Sequence, residues 1–565
     1  MVKFGNLAVL AFSLTAFISS VIADSPRSLL YHRALPNEAN GYARVIQLQH
    51  AGDQNGKLLA TWEHWYTKGP DSKKPNGTAG SFIISESATD KGGAWSTLAT
   101  VHDPQTGPGH PSRFFYQPFL FEFPQQLGKY PAGTLLLVGN LYNASSTQFF
   151  SWRSHNHGKT WGPVGAWQES VIPNGIWESF LYLDSKGRLV AVFSDERGQL
   201  AHSQMLVHVS SEDGGDTWSG RGNDSVFPDV ASPVSTQRPD MASVARMDNG
   251  EYFMSYEVCL KVNAVCHVHG KTSPDGVNWN ASDVGVAIET ADRISPWASP
   301  YTVWDPATKQ LSHRSVFINK NHGKGEWFWA PSPWTAPANT DVCSSNRSPD
   351  LLPLAGGGIR YSAPAPEGAK GLCSERTGKA SIGALPYTAD FAADGQAGWI
   401  DFGGTWNVSR REYRFASTKN TSAVAVTGSS GWKVYKISAD VMISSKSGVV
   451  GLSTRVSASS TGQNSLKKYT AAISSASGSL AISRDGHETT VLRSMAHPGS
   501  IQGNKWYHLS FAVQSDKLTV TLAGDRDGPY SSFTSTDGTF AQGMAGLFGR
   551  TGSGRFRNVQ ITELT

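Results

Sequence analysis

The sequence predicts an all-β chain, a six-bladed β-propeller followed by a β-sandwich. Three observations carry this reading. A Ser…Asp…Gly…Trp turn recurs along the first part of the chain. Between those turns, each unit repeats a strand, a turn ending in Gly and a second, strongly apolar strand. Composition then changes: all four Cys and 14 of the 18 Trp precede residue 390, and the chain beyond about residue 400 is rich in Ser, Gly and Thr. At 565 residues the chain is too long for one ordinary core. We divide it into a leader at 1–23, a propeller at 24–395 and a sandwich at 396–565, the last a candidate carbohydrate-binding module.

The leader comes first. Lys3 precedes an apolar run that ends in Val21-Ile22-Ala23. This is the pattern of a secretory signal peptide cleaved after Ala23, and the run is short for a membrane anchor. Seven Asn-x-Ser/Thr sites follow, at Asn76, Asn143, Asn223, Asn280, Asn346, Asn407 and Asn420. Together these features predict a secreted, extracellular glycoprotein. In an oxidising compartment the cysteines should pair. Proximity in sequence favours Cys259 with Cys266 and Cys343 with Cys373, although four cysteines allow three pairings.

The turn repeat is best preserved from Ser211 through Asp213, Gly215 and Thr217 to Trp218. A second copy, Ser154 to Trp161, carries Asn156 in place of Asp. A shortened copy runs from Ser273 to Trp279, and a degenerate one from Ser87 to Trp95. The Trp positions step by 66, 57 and 61 residues. The carboxylate caps backbone N–H groups, Gly supplies a positive φ, and Trp wedges between neighbouring sheets. These residues are structural.

The apolar strands of the units follow Gly56, Gly133, Gly187 and Gly250. Units of about 60 residues that each form an antiparallel sheet are the mark of propeller blades. The last part alternates polar and apolar residues in Lys505–Val513 and Lys517–Leu522. That pattern predicts a two-sheet sandwich of the concanavalin or laminin-G kind.

Charge and motifs exclude several classes. Net charge is +4 with no long basic run, so there is no footprint for nucleic acid. No CxxC, HExxH or phosphate-loop pattern appears. His64, His110 and His202 lack the company of metal ligands. We therefore expect no metal and no other cofactor.

In a propeller, equivalent residues of all blades gather around one axis. Aligning the units puts Arg44, Gln117, Glu178 and Arg238 at one level. It puts Glu63, Asn140, Ser194 with Asp195, and Glu257 at another. A carboxylate flanked by Trp177 and Phe180, or by Tyr256 and Val258, is costly to bury unless partnered. Structural ion pairs, such as Glu178 with Arg238, are one outcome. The other is a carboxylate pair in an arginine-lined cleft, which can hydrolyse a glycosidic bond. Arg44, Gln117 and Arg238 would then bind sugar hydroxyls or neutralise carboxylates, and Glu63 and Asp195 would tune the pocket. Trp297, Tyr301, Trp327 and Trp329 are candidates to stack on sugar rings, or belong to the core.

Specific motifs narrow the class. Tyr42-Ala-Arg44, Leu58 to Glu63, Tyr116-Gln-Pro-Phe-Leu120, Tyr130 to Asn140, Trp177-Glu178-Ser-Phe-Leu181, Ser194 to Arg197, Ser255-Tyr-Glu257 and Ser299 to Trp304 occur in this order. In order and spacing they resemble the fungal exo-α-1,5-L-arabinanases of glycoside hydrolase family 93. The resemblance covers about residues 30–310 and, more loosely, extends to 390. It implies a retaining hydrolysis by two glutamates, which fall on Glu178 and Glu257, with Glu178 read as nucleophile and Glu257 as acid/base. It also implies action on linear arabinan, a plant cell-wall polysaccharide, from the non-reducing end with release of arabinobiose. Substrate-binding positions are then Arg44, Glu63, Gln117, Asp195, Arg238 and Tyr301, in a monomer that needs neither nucleic acid nor membrane.

The chain departs from the family pattern at Ser179, where Pro is expected, and at Val258-Cys259, where glycines are expected. Two other classes stay in view. One is a sialidase or another exo-glycosidase or lyase of the propeller class. Against a sialidase stands Arg44-Val-Ile where Arg-Ile-Pro is expected. The other is a non-catalytic carbohydrate-binding propeller.

Overall fold

The computed structural model describes residues 28–31, 38–66, 81–87, 94–105, 113–198, 201–219, 227–231, 236–260, 265–296, 298–313, 317–331, 348–355, 358–367, 372–380, 383–392, 398–457, 466–524 and 530–564. The predicted leader at 1–23, the Cys343–Cys373 pair, the degenerate turn after Ser87, His110, Trp297 and the sequons at Asn76, Asn223 and Asn346 lie wholly or partly outside these residues, as does the side chain of Asn420.

The described chain is all-β apart from a short turn of 3-10 helix at Gly52–Gln54. No described helix is long and apolar enough to cross a membrane. The first part forms four-stranded antiparallel sheets in a propeller-like arrangement. Their first strands are Glu38–Gln47, Phe114–Glu122, Ile176–Leu183, Gln237–Arg246, Thr302–Asp305 and Asp350–Pro353. Each packs beside the next, and the last returns to the first.

A six-bladed propeller was expected, and the count is corrected to five blades of consecutive strands. Five sheets are built from consecutive strands. The remaining sheet joins Asp350–Pro353, Ile359–Glu367 and Leu372–Ala380 to the N-terminal strand Ser28–Tyr31. Ser28 pairs with Thr377 and Tyr31 with Glu375.

The apolar strands sit where the pattern placed them, second in each sheet. Leu189–Asp195 is buried at every position, and Leu135–Tyr142 at all but one. Each sheet is covered by a neighbour on both faces, so these strands read as continuous apolar runs rather than as alternations. The turns behave as capped hairpins. Asp213 accepts hydrogen bonds from the Thr217 amide at 2.9 Å and the Thr217 hydroxyl at 2.5 Å, and Ser211 Oγ accepts from the Gly215 amide at 2.8 Å. Trp218 stacks on Trp167 at 4.6 Å. A further turn of this kind, unnoticed in the sequence, follows the third strand of the fifth sheet. There Asn319 accepts from the amides of Asn321 and Gly323.

The second part is one 13-stranded sheet folded on itself. Two long strands carry it around. Met544–Glu563 pairs with Val449–Ser457 in its first half and with Tyr435–Ile443 in its second. Glu412–Thr427 runs along the same strand. Two sheets were expected; here the two layers stay hydrogen-bonded through these strands and enclose one core of Trp399, Tyr435, Leu452, Phe511 and Phe556. Tyr387–Ala389, assigned from sequence to the propeller, already pairs with the final strand. The two parts are joined by reciprocal bonds between Trp329 and Ser430, and by Gln542 on Glu326 at 2.9 Å.

Candidate active site

The first strands share one irregularity. Near the axis, Tyr42, Gln117, Glu178 and Met241 all adopt positive φ, from 52° to 57°. At each, the pairing with the second strand slips. Ser299 and Ser348, just ahead of the two remaining first strands, have φ of 51° and 49°. A bulge with one residue in the left-handed region bends the strand and re-aims its side chains. For a residue other than Gly this conformation costs energy, of order 1–3 kcal/mol. Its recurrence shows that the architecture imposes it.

The second strands answer in register. Glu63 lies opposite Gly41, Asn140 opposite Tyr116, Ser194 opposite Trp177 and Glu257 opposite Asp240, each just before a bulge. Their side chains hold the next sheet. Glu63 accepts from the Gln117 amide at 2.7 Å, Ser194 Oγ from the Met241 amide at 3.2 Å, and Glu257 from the Ser299 amide. Asn140 donates to the Ile176 carbonyl at 2.7 Å. Of the level predicted for Glu63, Asn140, Ser194 with Asp195, and Glu257, all but Asp195 share this place in the register and hold the next sheet. The level predicted for Arg44, Gln117, Glu178 and Arg238 is not shared in this way. Arg44 lies two residues beyond its bulge and Arg238 three residues before its own.

Glu178 sits on the third sheet's bulge. One carboxyl oxygen accepts from Gln117 Nε2 at 2.7 Å, and the other meets no donor. Burial pushes the Glu178 carboxyl well above the ordinary carboxylate range, and the neighbouring Asp240 and Glu257 charges add to it. Asp240 is itself held by Ser194 Oγ and by the Met241 amide at 3.0 Å. Three carboxyl groups thus converge, and their mutual charge and burial favour a proton on Glu178.

On the opposite side, the Arg44 guanidinium lies over the Tyr42 ring at 4.1 Å and the Tyr301 ring at 4.9 Å, and donates to the Ser348 carbonyl at 3.3 Å. Tyr42 feels the charges of Glu178, Glu63 and Asp240; its hydroxyl is raised, chiefly by burial. Asp350 accepts from the Val45 amide at 2.9 Å and bonds Tyr301. Burial raises the Asp350 carboxyl to about 6 against the pull of Arg44. Behind this wall Glu375 is fully buried with neither carboxyl oxygen hydrogen-bonded, and burial and the Glu63 charge hold it well above the ordinary range.

Of the residues predicted from sequence, Glu178, Glu257, Glu63, Gln117, Arg44 and Tyr301 come together. Asp195 and Arg238 do not. Asp195 is tied to Arg197 by two bonds of 2.7 and 2.9 Å. Arg238 is held by Glu196, Ser203 and Gln204, so an ion pair with Glu178 is not formed. Trp327 is core, packed on Phe253, and Trp329 faces the second domain. Sequence reasoning missed Asp240, Tyr42, Asp350 and Glu375.

The Cys259–Cys266 disulfide links the second and third strands of the fourth sheet, as expected. Cys259 Sγ lies 3.4 Å from a Glu257 oxygen. Glu257 and the two sulfurs cluster closely, but sulfurs committed to a disulfide offer no thiolate to a metal.

A propeller-like arrangement whose axis carries facing, buried carboxyl groups fits the site of a glycoside hydrolase. Comparison with known proteins agrees. The chain resembles solved structures of glycoside hydrolase family 93. The α-L-arabinofuranosidase of Fusarium graminearum, solved with arabinobiose, is 24% identical, with a TM-score of 0.51 over 64% of this chain and 98% of that one. The α-L-arabinanase of Penicillium chrysogenum, also with arabinobiose, is 26% identical, again at 0.51 over 64% and 98%. Residues 409–558 match the family described as galactocerebrosidase, C-terminal lectin domain, which fits the sandwich. No curated protein matches the chain.

Proposed function

We propose that this protein is a secreted, retaining exo-α-1,5-L-arabinanase that releases arabinobiose from the non-reducing end of linear arabinan. We take the composite sheet as a sixth blade, the sandwich as a saccharide-binding unit and the protein as a monomer. The observation that carries the reading is the buried Glu178 carboxyl, held by Gln117 and facing the charges of Asp240 and Glu257 at the propeller axis.

We assign the two roles in reverse of those read from the family resemblance, because burial and the Asp240 and Glu257 charges favour the proton on Glu178. A carboxyl group that keeps its proton is suited to be the acid, so Glu178 protonates the glycosidic oxygen as the bond to the anomeric carbon breaks. Glu257, fixed by the Ser299 amide, attacks that carbon and forms a glycosyl-enzyme. Glu178, now a carboxylate, takes a proton from the incoming water. The water oxygen bonds the anomeric carbon and Glu257 is released. The stacked Tyr42, Arg44 and Tyr301 form the wall against which the sugar is oriented.

Chromatography of the products from linear arabinan tests this. Wild type should release arabinobiose, while Glu178→Gln and Glu257→Gln should not. Proton NMR of the first product formed tests retention. No product from wild type would sink the substrate assignment. A sialidase reading loses support from Arg238, whose guanidinium is committed to Glu196 and Gln204.

A further inference from the structure

The outer face of the sandwich carries a cationic groove, remote from the carboxyl cluster. It is a cavity of about 280 Å³, with Thr405, Asn407, Arg414, Ser444, Ser553 and Arg555 among its lining residues. The pairing explains the arrangement. Asn407 lies opposite Arg414, and Arg414 opposite Arg555, so the three share one cross-strand row. Tyr413 and Phe415, on either side of Arg414, turn into the core. The two guanidinium groups therefore stand side by side on the outer face.

Like charges directly opposed on antiparallel strands are destabilising. A single carboxylate, Glu412, serves both, at 2.7 Å from Arg414 and 3.5 Å from Arg555. Arg414 Nε is buried and meets no acceptor. The same hairpin adds Arg410 and Arg411 at its tip. Ser409 pairs with Glu412, so these two make up the whole loop, both exposed, with φ of 57° and 60°. Asn-Gly is favoured in such a loop, and two arginines there carry backbone strain. Neither pairs with a carboxylate among the described residues. The next acid on this face, Asp440, is taken by His508, Arg557 and Asn558. The groove is short of anions by construction.

We infer that this groove binds the carboxylate of an acidic saccharide, a uronic acid residue within a glycan. The planar guanidinium groups of Arg414 and Arg555 match a carboxylate. The hydroxyls of Thr405, Ser444 and Ser553 and the Asn407 amide are placed for ring hydroxyls. The cavity lies near the lower end of ligand pockets, which span about 300–1,000 Å³, and suits one sugar unit. The inference rests on the sandwich being a saccharide-binding unit.

Affinity electrophoresis of the full chain tests it. The protein carries Ser409→Ala, which removes the Asn407 sequon and leaves the Asn407 amide free of glycan. Gels contain polygalacturonate, carboxyl-reduced polygalacturonate or dextran sulfate. Retention by polygalacturonate is expected, with at least a tenfold weakening in the double variant Arg414→Ala/Arg555→Ala and unchanged turnover of soluble arabinan. Should that variant not fold, Arg410→Ser/Arg411→Ser at the exposed tip should also weaken retention. Equal retention by the reduced polymer or by dextran sulfate, or retention indifferent to the arginines, overturns the inference and leaves saccharide binding standing. No retention by any of the three polymers overturns both.

Discussion

Glu178 and Asp240 bring two carboxyl groups together from adjacent sheets, Glu178 at its strand's bulge and Asp240 one residue before the next. Burial, first, and the Asp240 charge push the Glu178 carboxyl well above the ordinary carboxylate range. Such a pairing suits an acid that works at a pH where an exposed glutamate would be ionised.

Asp240→Asn should therefore move the pH profile. Asn keeps an oxygen for Ser194 and the Met241 amide but removes the negative charge that raises Glu178. The basic limb of kcat/KM should shift to lower pH. An unmoved limb would show that Asp240 does not set the acid.

Leaving-group dependence separates the two glutamates. Glu178→Gln should lose about 10²–10⁴-fold on arabinan. It should lose much less on an aryl arabinoside whose leaving group needs no proton, and azide should restore turnover. Glu257→Gln should be inactive on both. The opposite pattern would return the acid role to Glu257.

Stability should fall as pH rises through the carboxyl range. Asp350 and Glu375 hold their protons more tightly in the folded chain than in the unfolded one. That contribution is complete below about pH 4 and is lost as the pH climbs, for Asp350 by about pH 6. The Asp350 shift alone corresponds to about 3 kcal/mol. Glu375→Gln should raise Tm at pH 7–8 and leave it unchanged near pH 4. A drop at both pH values would mean that the carboxyl group is needed for packing.

The disulfide should matter more to turnover than to the fold. Cys259 Sγ touches Glu257, and the closed loop is short. Cys259→Ser/Cys266→Ser should lower kcat at least tenfold, with little change in KM. Equal activity would show that the Ser299 amide alone fixes Glu257.

Much of this was legible in the sequence. The Trp-bearing turns and the Gly-led apolar strands marked the sheets, because burial on both faces leaves a continuous apolar run. Glu63, Asn140, Ser194 and Glu257 were alignable because each lies on a regular strand. The first strands were not, because a bulge adds a residue and breaks the period of two. Counting through it displaced Arg44 and Arg238. Asp240 went unnoticed because Met241, at the bulge itself, is apolar and hid the equivalence with Glu178. Glu375 was out of reach, since it lies on a third strand and approaches the cleft only through the composite sheet.

That composite sheet gives the ring a clasp. Ser28–Tyr31 precedes the other described strands in the chain, yet its partner, Leu372–Ala380, follows all five sheets of consecutive strands. Without that partner Ser28–Tyr31 has no edge to join, and the ring lacks its closing pairing. Among the described strands of the first part, this seam is where the circle is held by hydrogen bonds between distant parts of the chain instead of by a connecting loop.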